Sequence, residues 1–272
     1  HLKRVSEIWA RFNKVAIQNP NAWIQDAFTA EEIRTPTDVN RRISFPYTKM
    51  MNANMVVDMG AAIILCSVEK AKELGIPEEK WVYPVAGVQG YDHFSASVRD
   101  NFHSSPGLGL VGKRVMELAK VSPEEVDYVD LYSCFPSAVQ IAARELGFSE
   151  ERQLTVTGGL TFGGGPLNNY VMHAVARTVE LLRKAPGKKA FVSANGGNLY
   201  KHVHCVYSSQ APEEPYQYEN IQQEIDALPS RICLPEYDGK VEVESYSVMY
   251  TGEQPAIAHC SGITGDGARV WS

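Results

Sequence analysis

Several patterns that would mark common stapled or metal-bound folds are missing. The five cysteines, Cys66, Cys134, Cys205, Cys233 and Cys260, are odd in number and none stand in Cys-x-x-Cys spacing. That argues against a disulfide framework and a structural zinc site. A reducing, cytoplasmic compartment is the simplest expectation. No apolar run approaches the roughly 18 residues of a membrane-spanning helix. Lys and Arg number 26 against 32 Asp and Glu, for a net charge of -6. This leaves no basic stripe for nucleic acid and no polybasic patch for anionic lipid. There is no internal repeat, and the Gly-Lys-Ser/Thr of a phosphate-binding loop is absent.

What is present reads as an ordinary globular chain. Its 272 residues, 44% apolar and 21% charged, allow one large domain or two smaller ones. Ile8, Trp9, Phe12, Val15 and Ala16 fall at helical spacing over Leu2–Gln18. A chain that starts at His1 inside such a helix is expected to be a fragment, a processed chain or the second chain of a split protein. Thr29 to Pro46 is polar and turn-rich, an irregular excursion. Asp58 to Cys66 is a glycine-led, nearly continuous apolar run, as in a strand covered on both faces.

Further on, strands and helices alternate. Strands are predicted at Trp81–Val88, Val126–Leu131, Lys189–Ser193 and Val203–Tyr207, and helices after Ser105, over Pro136–Leu146 and over Asn169–Lys184. This is the pattern of an α/β sheet with helices on both faces. Gln210–Tyr218 reads as a linker. Beyond it the pattern turns to strands at Arg231–Leu234, Lys240–Tyr250, Ala256–Cys260 and Ala268–Trp271, with hairpin-type turns at Asp238-Gly239 and Asp266-Gly267. A small barrel-like all-β extension is expected. The divisions fall at residues 1–50, 51–209 and 210–272.

Three segments at strand ends carry candidate chemistry, since α/β sheets place ligands there. In Tyr132-Ser133-Cys134-Phe135-Pro136, a helix N-terminus could lower the Cys134 thiol pKa, and Tyr132 could donate a proton. By spacing alone the better fit is Cys134 as a small buried apolar group and Tyr132 as a core phenol. In the run from Thr157 to Tyr170, Gly158, Gly159, Gly164 and Gly165 before Pro166 would let a ligand approach the backbone. In Ser193-Ala194-Asn195-Gly196-Gly197, backbone N–H groups could face an oxyanion, or the segment is a plain hairpin. His202 and His204 alternate on a strand and face one side, two ligands without a third.

Taken together, these segments resemble the C-terminal half of thiolases. Met59-Gly60-Ala61-Ala62 matches the "DGAAA" unit, and Ser67 to Gly75 the helix after it. Tyr132 to Phe135 stands for "HDCF" or "NEAF", Gly158-Gly159 to Pro166-Leu167 for "GGAIAIGHPLG", and Ser193 to Gly197 for "CIGGG". The resemblance covers about residues 1–208 and implies a thiolase-like C-terminal domain. Its wording, with the β extension, is similar to the sterol-carrier-protein branch, whose members are often labelled acetyl-CoA acetyltransferases.

The resemblance implies carbon–carbon bond chemistry on acyl groups carried by coenzyme A, with coenzyme A or acyl-CoA as ligand and no tightly bound cofactor. The acylated cysteine of that family lies in an N-terminal half that is not in this sequence. Gly165 stands for the activating histidine, Ser193 for the proton-shuttling cysteine and Tyr132 for the histidine of HDCF. Cys134 keeps its identity, and in the sterol-carrier-protein branch that cysteine is the acid/base. A steroid side-chain aldolase of the superfamily uses tyrosines, which makes Tyr132 relevant.

Three readings follow. The first is an acyl-CoA-handling protein whose standard condensing chemistry is lost or altered. The second is a retro-aldolase or acyltransferase active with its N-terminal half, with Tyr132 and Cys134 as proton donors. The third is a non-catalytic scaffold or CoA-binding module. Half of such a core leaves an apolar face in water, so a partner is expected: the N-terminal half, a second copy, or both.

Overall fold

The computed structural model describes every residue from His1 to Ser272. Its elements in chain order are α1 (Leu2–Gln18), α2 (Ala30–Arg34), β1 (Arg42–Ser44), β2 (Tyr47–Thr48), α3 (Val68–Glu73), β3 (Tyr83–Tyr91) and α4 (Pro106–Leu118). Then come β4 (Tyr128–Asp130), α5 (Pro136–Glu145), α6 (Gly159–Phe162), α7 (Tyr170–Lys184), β5 (Lys189–Gly196) and β6 (Lys201–Ser208). The chain closes with β7 (Gln217–Asn220), α8 (Gln222–Asp226), β8 (Glu242–Thr251), β9 (Gln254–Ile263) and β10 (Arg269–Trp271).

Helix α1 buries Val5, Ile8, Trp9, Phe12 and Ala16, the stripe that its periodicity predicts. Burying side chains of this size stabilises by about 1.5–3 kcal/mol each. Trp9 stacks on Phe12 with ring centroids 5.2 Å apart and donates its indole N–H to Thr161 Oγ1 at 3.1 Å. The stretch expected to be irregular holds α2, whose Thr29 and Glu32 form a reciprocal capping box, followed by β1.

The larger sheet has the order β4-β5-β6-β3-β7. β5 and β3 run antiparallel to β6 between them, while β4 is parallel to β5 and β7 parallel to β3. Helices α4 and α5 cover one face, where Val111, Val115, Val139 and Leu146 join the main core. Helix α7 covers the other, where Tyr170, Ala174 and Val175 pack with Val192 and Leu160. The mixed α/β sheet with helices on both faces is therefore as expected.

Four expectations need correction. The apolar run Asp58–Cys66 is not a strand: it has no regular structure, and Ile64 and Leu65 are 93% and 77% exposed. A strand needs a hydrogen-bonding neighbour, and no strand of either sheet pairs with this segment. Arg231–Leu234 is not a strand either, holding one isolated bridge at Cys233, with another at Ser230 just before it. The β extension is an open sheet of order β10-β9-β8-β1-β2 rather than a barrel, and its tight hairpin is at Gly252, not Asp238-Gly239. Finally, the divisions at 50 and 209 do not follow the sheets, because β1 pairs with β8 and β7 joins the larger sheet.

One buried cation ties the small sheet to the body. Arg269 of β10 is fully buried and grips Glu244 of β8 with two bonds of 2.7 and 2.6 Å. The same guanidinium donates to the carbonyls of Ser97 and Asp100 at 2.9 and 3.2 Å and lies 4.2 Å over Phe102. Full pairing is what makes such burial tolerable. The distal β8–β9 ribbon lacks comparable cover, for Tyr246, Met249 and Ile257 stand exposed. A ribbon with bare faces is marginal in water on its own.

Candidate functional site

The strand register brings three loops to one end of the larger sheet. Asp130 pairs with Val192, Asn195 with His202, and Tyr91 with Lys201. The segment Leu131–Phe135, the hairpin after Asn195 and the loop after Tyr91 therefore share that end. Alternation then sets which side chains face which layer.

Asp130 organises the centre. Its carboxylate is completely buried and accepts from Thr155 Oγ1, the Val156 N–H and the Tyr170 O–H, each at 2.9 Å. Burial pushes its carboxyl up from 3.8 to about 6, against the pull of those donors from Val156, Tyr170 and Thr155. Tyr170 also hydrogen-bonds Thr157 Oγ1 at 2.8 Å, and burial and then the Asp130 charge hold its phenol well above its usual range. The sequence reading passed over both residues. A lone acid ending an apolar strand was the available signal, but its partners lie 25 and more residues downstream.

Through Thr155 and Thr157 this cluster sets the glycine loop. Thr155 Oγ1 accepts from the Gly158 and Gly159 N–H groups at 3.1 and 3.0 Å, and Ser133 Oγ from Leu160 N–H at 3.0 Å. The Gly165 N–H donates to the Asn54 carbonyl at 2.9 Å. The loop is buried, so these donors face the chain's own atoms rather than a ligand. Gly158 has φ 102°, and a Cβ there would stand 2.4 Å from Ala16 Cβ. A Cβ on Gly164 would meet the Met59 sulfur at 2.4 Å. These glycines allow α1 and the 54–59 segment to pack closely, and Pro166 marks where the loop re-emerges.

Ser193 is buried and ties two strands, accepting from the Tyr132 N–H at 2.9 Å and donating to the Asp130 carbonyl at 3.4 Å. Gly196 and Gly197 form the β5–β6 hairpin turn, Gly197 being exposed with φ 60°. The Tyr132 ring is half-buried and meets Tyr170 edge-on at 5.6 Å. Burial, then the neighbouring Cys134, raises its phenol.

Cys134 is half-buried at the start of α5. Of the two readings of its thiol, activated by the helix end or buried as a small apolar group, the structure favours the second: burial pushes the thiol up to about 11, outweighing the nearby backbone N–H groups of Phe135 and Cys134. The Asn195 amide nitrogen lies 3.9 Å from the sulfur. Cys134, Tyr132 and Asn195 thus come together, while Gly158, Gly159, Gly164 and Gly165 sit in the packed interior. A separate groove of about 590 Å³ runs along the outer side of α5 between Arg4, His103 and Arg144.

His202 and His204 are both buried on the α4 side of β6. His202 Nε2 meets Asp92 Oδ2 at 3.1 Å and Ser105 Oγ at 3.2 Å, and Ser105 donates to the same carboxylate oxygen at 2.6 Å. This is not a nucleophile triad, since one ring nitrogen serves both partners and the serine proton goes to the acid. His204 finds no partner for either nitrogen. Burial, then His202, lowers it to about 3.

No family profile matches the chain. An acetyl-CoA acetyltransferase of Methanothermobacter thermautotrophicus is 24% identical over 199 residues, covering 67% of this chain and 50% of that protein. Sterol carrier protein 2 of Oryctolagus cuniculus is 21% identical over 276 aligned positions, 89% of this chain and 49% of that protein. The crystal structure of a monomeric SCP2-thiolase-like protein type 1 from Mycobacterium smegmatis matches 100% of this chain and 61% of its own, at 34% identity and a TM-score of 0.91. The chain belongs to the thiolase-like superfamily. It spans about half the length of these two curated relatives.

Gly165 and Ser193 are both held by the chain's own contacts. A Cβ on Gly165 would lie 3.2 Å from the Leu160 carbonyl oxygen, so a histidine there would need the loop to shift. Ser193 carries two strand-tying bonds rather than a free hydroxyl.

The two buried groups have opposite pH signatures. Asp130 is raised on folding, so its contribution is full below pH 3.8 and is lost as pH rises to about 6, a change of about 3 kcal/mol. His204 is depressed from 6.5 to about 3, so stability falls as acid is added below pH 6.5, by about 3 kcal/mol between pH 6 and 4. The two offset in the wild type. Urea unfolding at pH 4, 5 and 6 is expected to show His204→Leu strengthening by about 3 kcal/mol relative to wild type as pH falls, and Asp130→Asn weakening by a similar amount. Slopes equal to wild type in both variants would refute these assignments.

Proposed function

We propose that this thiolase-like chain handles acyl-CoA thioesters at the Cys134 end of its larger sheet, with Cys134 as a proton donor to the α-carbon. The observation that carries the reading is the pairing of a protonated, half-buried thiol with the Asn195 amide 3.9 Å away. It stands in a chain 34% identical to an SCP2-thiolase-like protein. A thiol held near 11 is a poor base at neutral pH but keeps its proton for an enolate. Delivering that proton to carbon leaves a thiolate, which an amide N–H can face. Asn195 with Gly196 and Gly197 on the exposed hairpin, and Tyr132, would line the ligand, with coenzyme A as its carrier.

The same protonation favours carbon–carbon cleavage over condensation. Cleavage of a β-hydroxyacyl thioester breaks the Cα–Cβ bond as the β-hydroxyl gives its proton to solvent and becomes a carbonyl, and the enolate left behind takes the Cys134 proton, which solvent restores; condensation instead starts by removing a proton from carbon. The retro-aldolase reading therefore stands ahead of acyltransfer, and a non-catalytic scaffold is the remaining alternative.

We also propose that the bare apolar surfaces are covered by a thiolase-like N-terminal half. Val56, Ile64 and Leu65 are exposed, well beyond what scattered surface residues explain. The structural relative has 39% of its chain outside the match, since 61% is covered. That relative is described as monomeric, which supports cover from one other half over a second copy. Gel filtration with an apolar-surface dye is expected to show self-association or dye binding by this chain alone. A clean monomer that binds no dye would overturn the point.

Thermal-shift titration with coenzyme A of the assembled protein is expected to raise the melting temperature in the millimolar range. Cys134→Ala should keep that shift and lose turnover of a β-hydroxyacyl-CoA by about a hundredfold or more. No shift would leave the scaffold reading, and unchanged turnover would remove Cys134 from the chemistry.

A further inference from the structure

Helix α5 buries Pro136, Ala138, Val139, Ala142 and Ala143 and turns Ser137, Gln140, Ile141 and Arg144 outward. Residues three and four apart share a helix face, so these four form one stripe, about 10 Å long at the helical rise. With Arg4 of α1 and Phe102 the stripe lines the groove of about 590 Å³, a volume within the usual span of small-molecule sites. The chain as a whole carries a net charge of -6, yet the groove is locally positive, with two guanidiniums against the one carboxylate of Glu150. Neither guanidinium is saturated. Arg4 gives only its Nε–H to Glu150, at 2.7 Å, which leaves its terminal N–H groups available. Arg144 donates from one terminal nitrogen to the His103 carbonyl and stands 3.6 Å from Glu145. Both side chains are more than half exposed, at 66% and 56%. Phe102 is fixed by the Arg269 guanidinium 4.2 Å over its ring and by Trp271 at 5.6 Å.

We propose that this groove seats the nucleotide end of coenzyme A, with Arg4 and Arg144 on the phosphates and the purine against Phe102 and Ile141. Guanidinium groups suit phosphate oxygens, to which they give charge-assisted N–H bonds. The stripe begins at Ser137, in the first turn of the helix that follows Cys134. From Cys134 to Arg144 the chain rises about 15 Å along the helix axis. An extended pantetheine arm, with a backbone as long as about four residues, also spans about 15 Å. A nucleotide held at Arg144 therefore lets the arm run past Ser137 and bring the thioester to the Cys134 end. The inference rests on the reading of Cys134 as the thioester end and names the subsite that holds the carrier. Glu150 opposes the phosphates and limits their affinity.

The experiment is calorimetric titration of the assembled protein with coenzyme A, with adenosine 3′,5′-bisphosphate and with pantetheine. The bisphosphate is expected to bind by itself, more weakly than coenzyme A. Arg4→Ala and Arg144→Ala should each weaken both nucleotides about tenfold and leave pantetheine unmoved. Glu150→Gln removes the opposing carboxylate and should tighten both about threefold, a gain that damage to the fold does not produce. Cys134→Ala should leave bisphosphate binding unchanged. The proposal is overturned if the bisphosphate does not bind, or if Glu150→Gln weakens it or leaves it unmoved. Coenzyme A binding that survives the loss of both arginines would also reject the site, while the reading of Cys134 stands. Coenzyme A that binds no more tightly than the bisphosphate would reject the reading of Cys134 and leave the nucleotide site in place.

Discussion

The carboxylate of Asp130 carries no exposed surface, yet three neighbouring groups donate to it. Its oxygens take the hydroxyls of Thr155 and Tyr170 and the N–H of Val156. Removing it would strand all of them in a dry interior, a loss of about 3–5 kcal/mol by the usual cost of breaking a buried charged network. Because Thr155 and Thr157 also hold the Gly158 and Gly159 N–H groups, the acid fixes the loop on which α1 packs. Because the Asp130 carbonyl receives Ser193, it also fixes how β5 meets the segment carrying Tyr132 and Cys134.

This constraint also accounts for the glycine at 165 and the serine at 193. Gly165 is locked to Asn54 and packed on Leu160. Ser193 bridges strands through its hydroxyl. What remains for chemistry is the thiol of Cys134, protonated because it is half-sunk in apolar surroundings, and the polar edge of Tyr132. Arg269 does at the other sheet what Asp130 does here: a single buried charge, fully paired, fixes an element that apolar packing alone leaves loose.

Much of the fold was legible from periodicity. The α1 stripe, the strands β3 to β6 and the helices α5 and α7 carry their pattern in local sequence. Asp58–Cys66 misled because an apolar run specifies burial, not the neighbour that would supply its hydrogen bonds. The barrel expectation failed because strand count does not fix closure, and β1 joined through a pair, Ser44 and Met249, that is 205 residues apart in the chain. At the site, Cys134 and Tyr132 were legible through the strand-to-helix motif. Asp130, Tyr170 and the Asp92–Ser105–His202 cluster were not, since their partners converge only once the sheet is assembled. For Cys134 the sequence offered two readings, and burial, which decides between them by outweighing the helix end, exists only in the assembled fold.

The central claim is that the neutral thiol of Cys134 delivers a proton to carbon. It is tested most directly by incubating the assembled protein with a β-hydroxyacyl-CoA in deuterium oxide and reading the released acyl-CoA by mass spectrometry. The account predicts one deuteron at the α-carbon of the product with wild-type protein, and loss of that product with Cys134→Ala. A deuterated product formed equally fast by Cys134→Ala would contradict it.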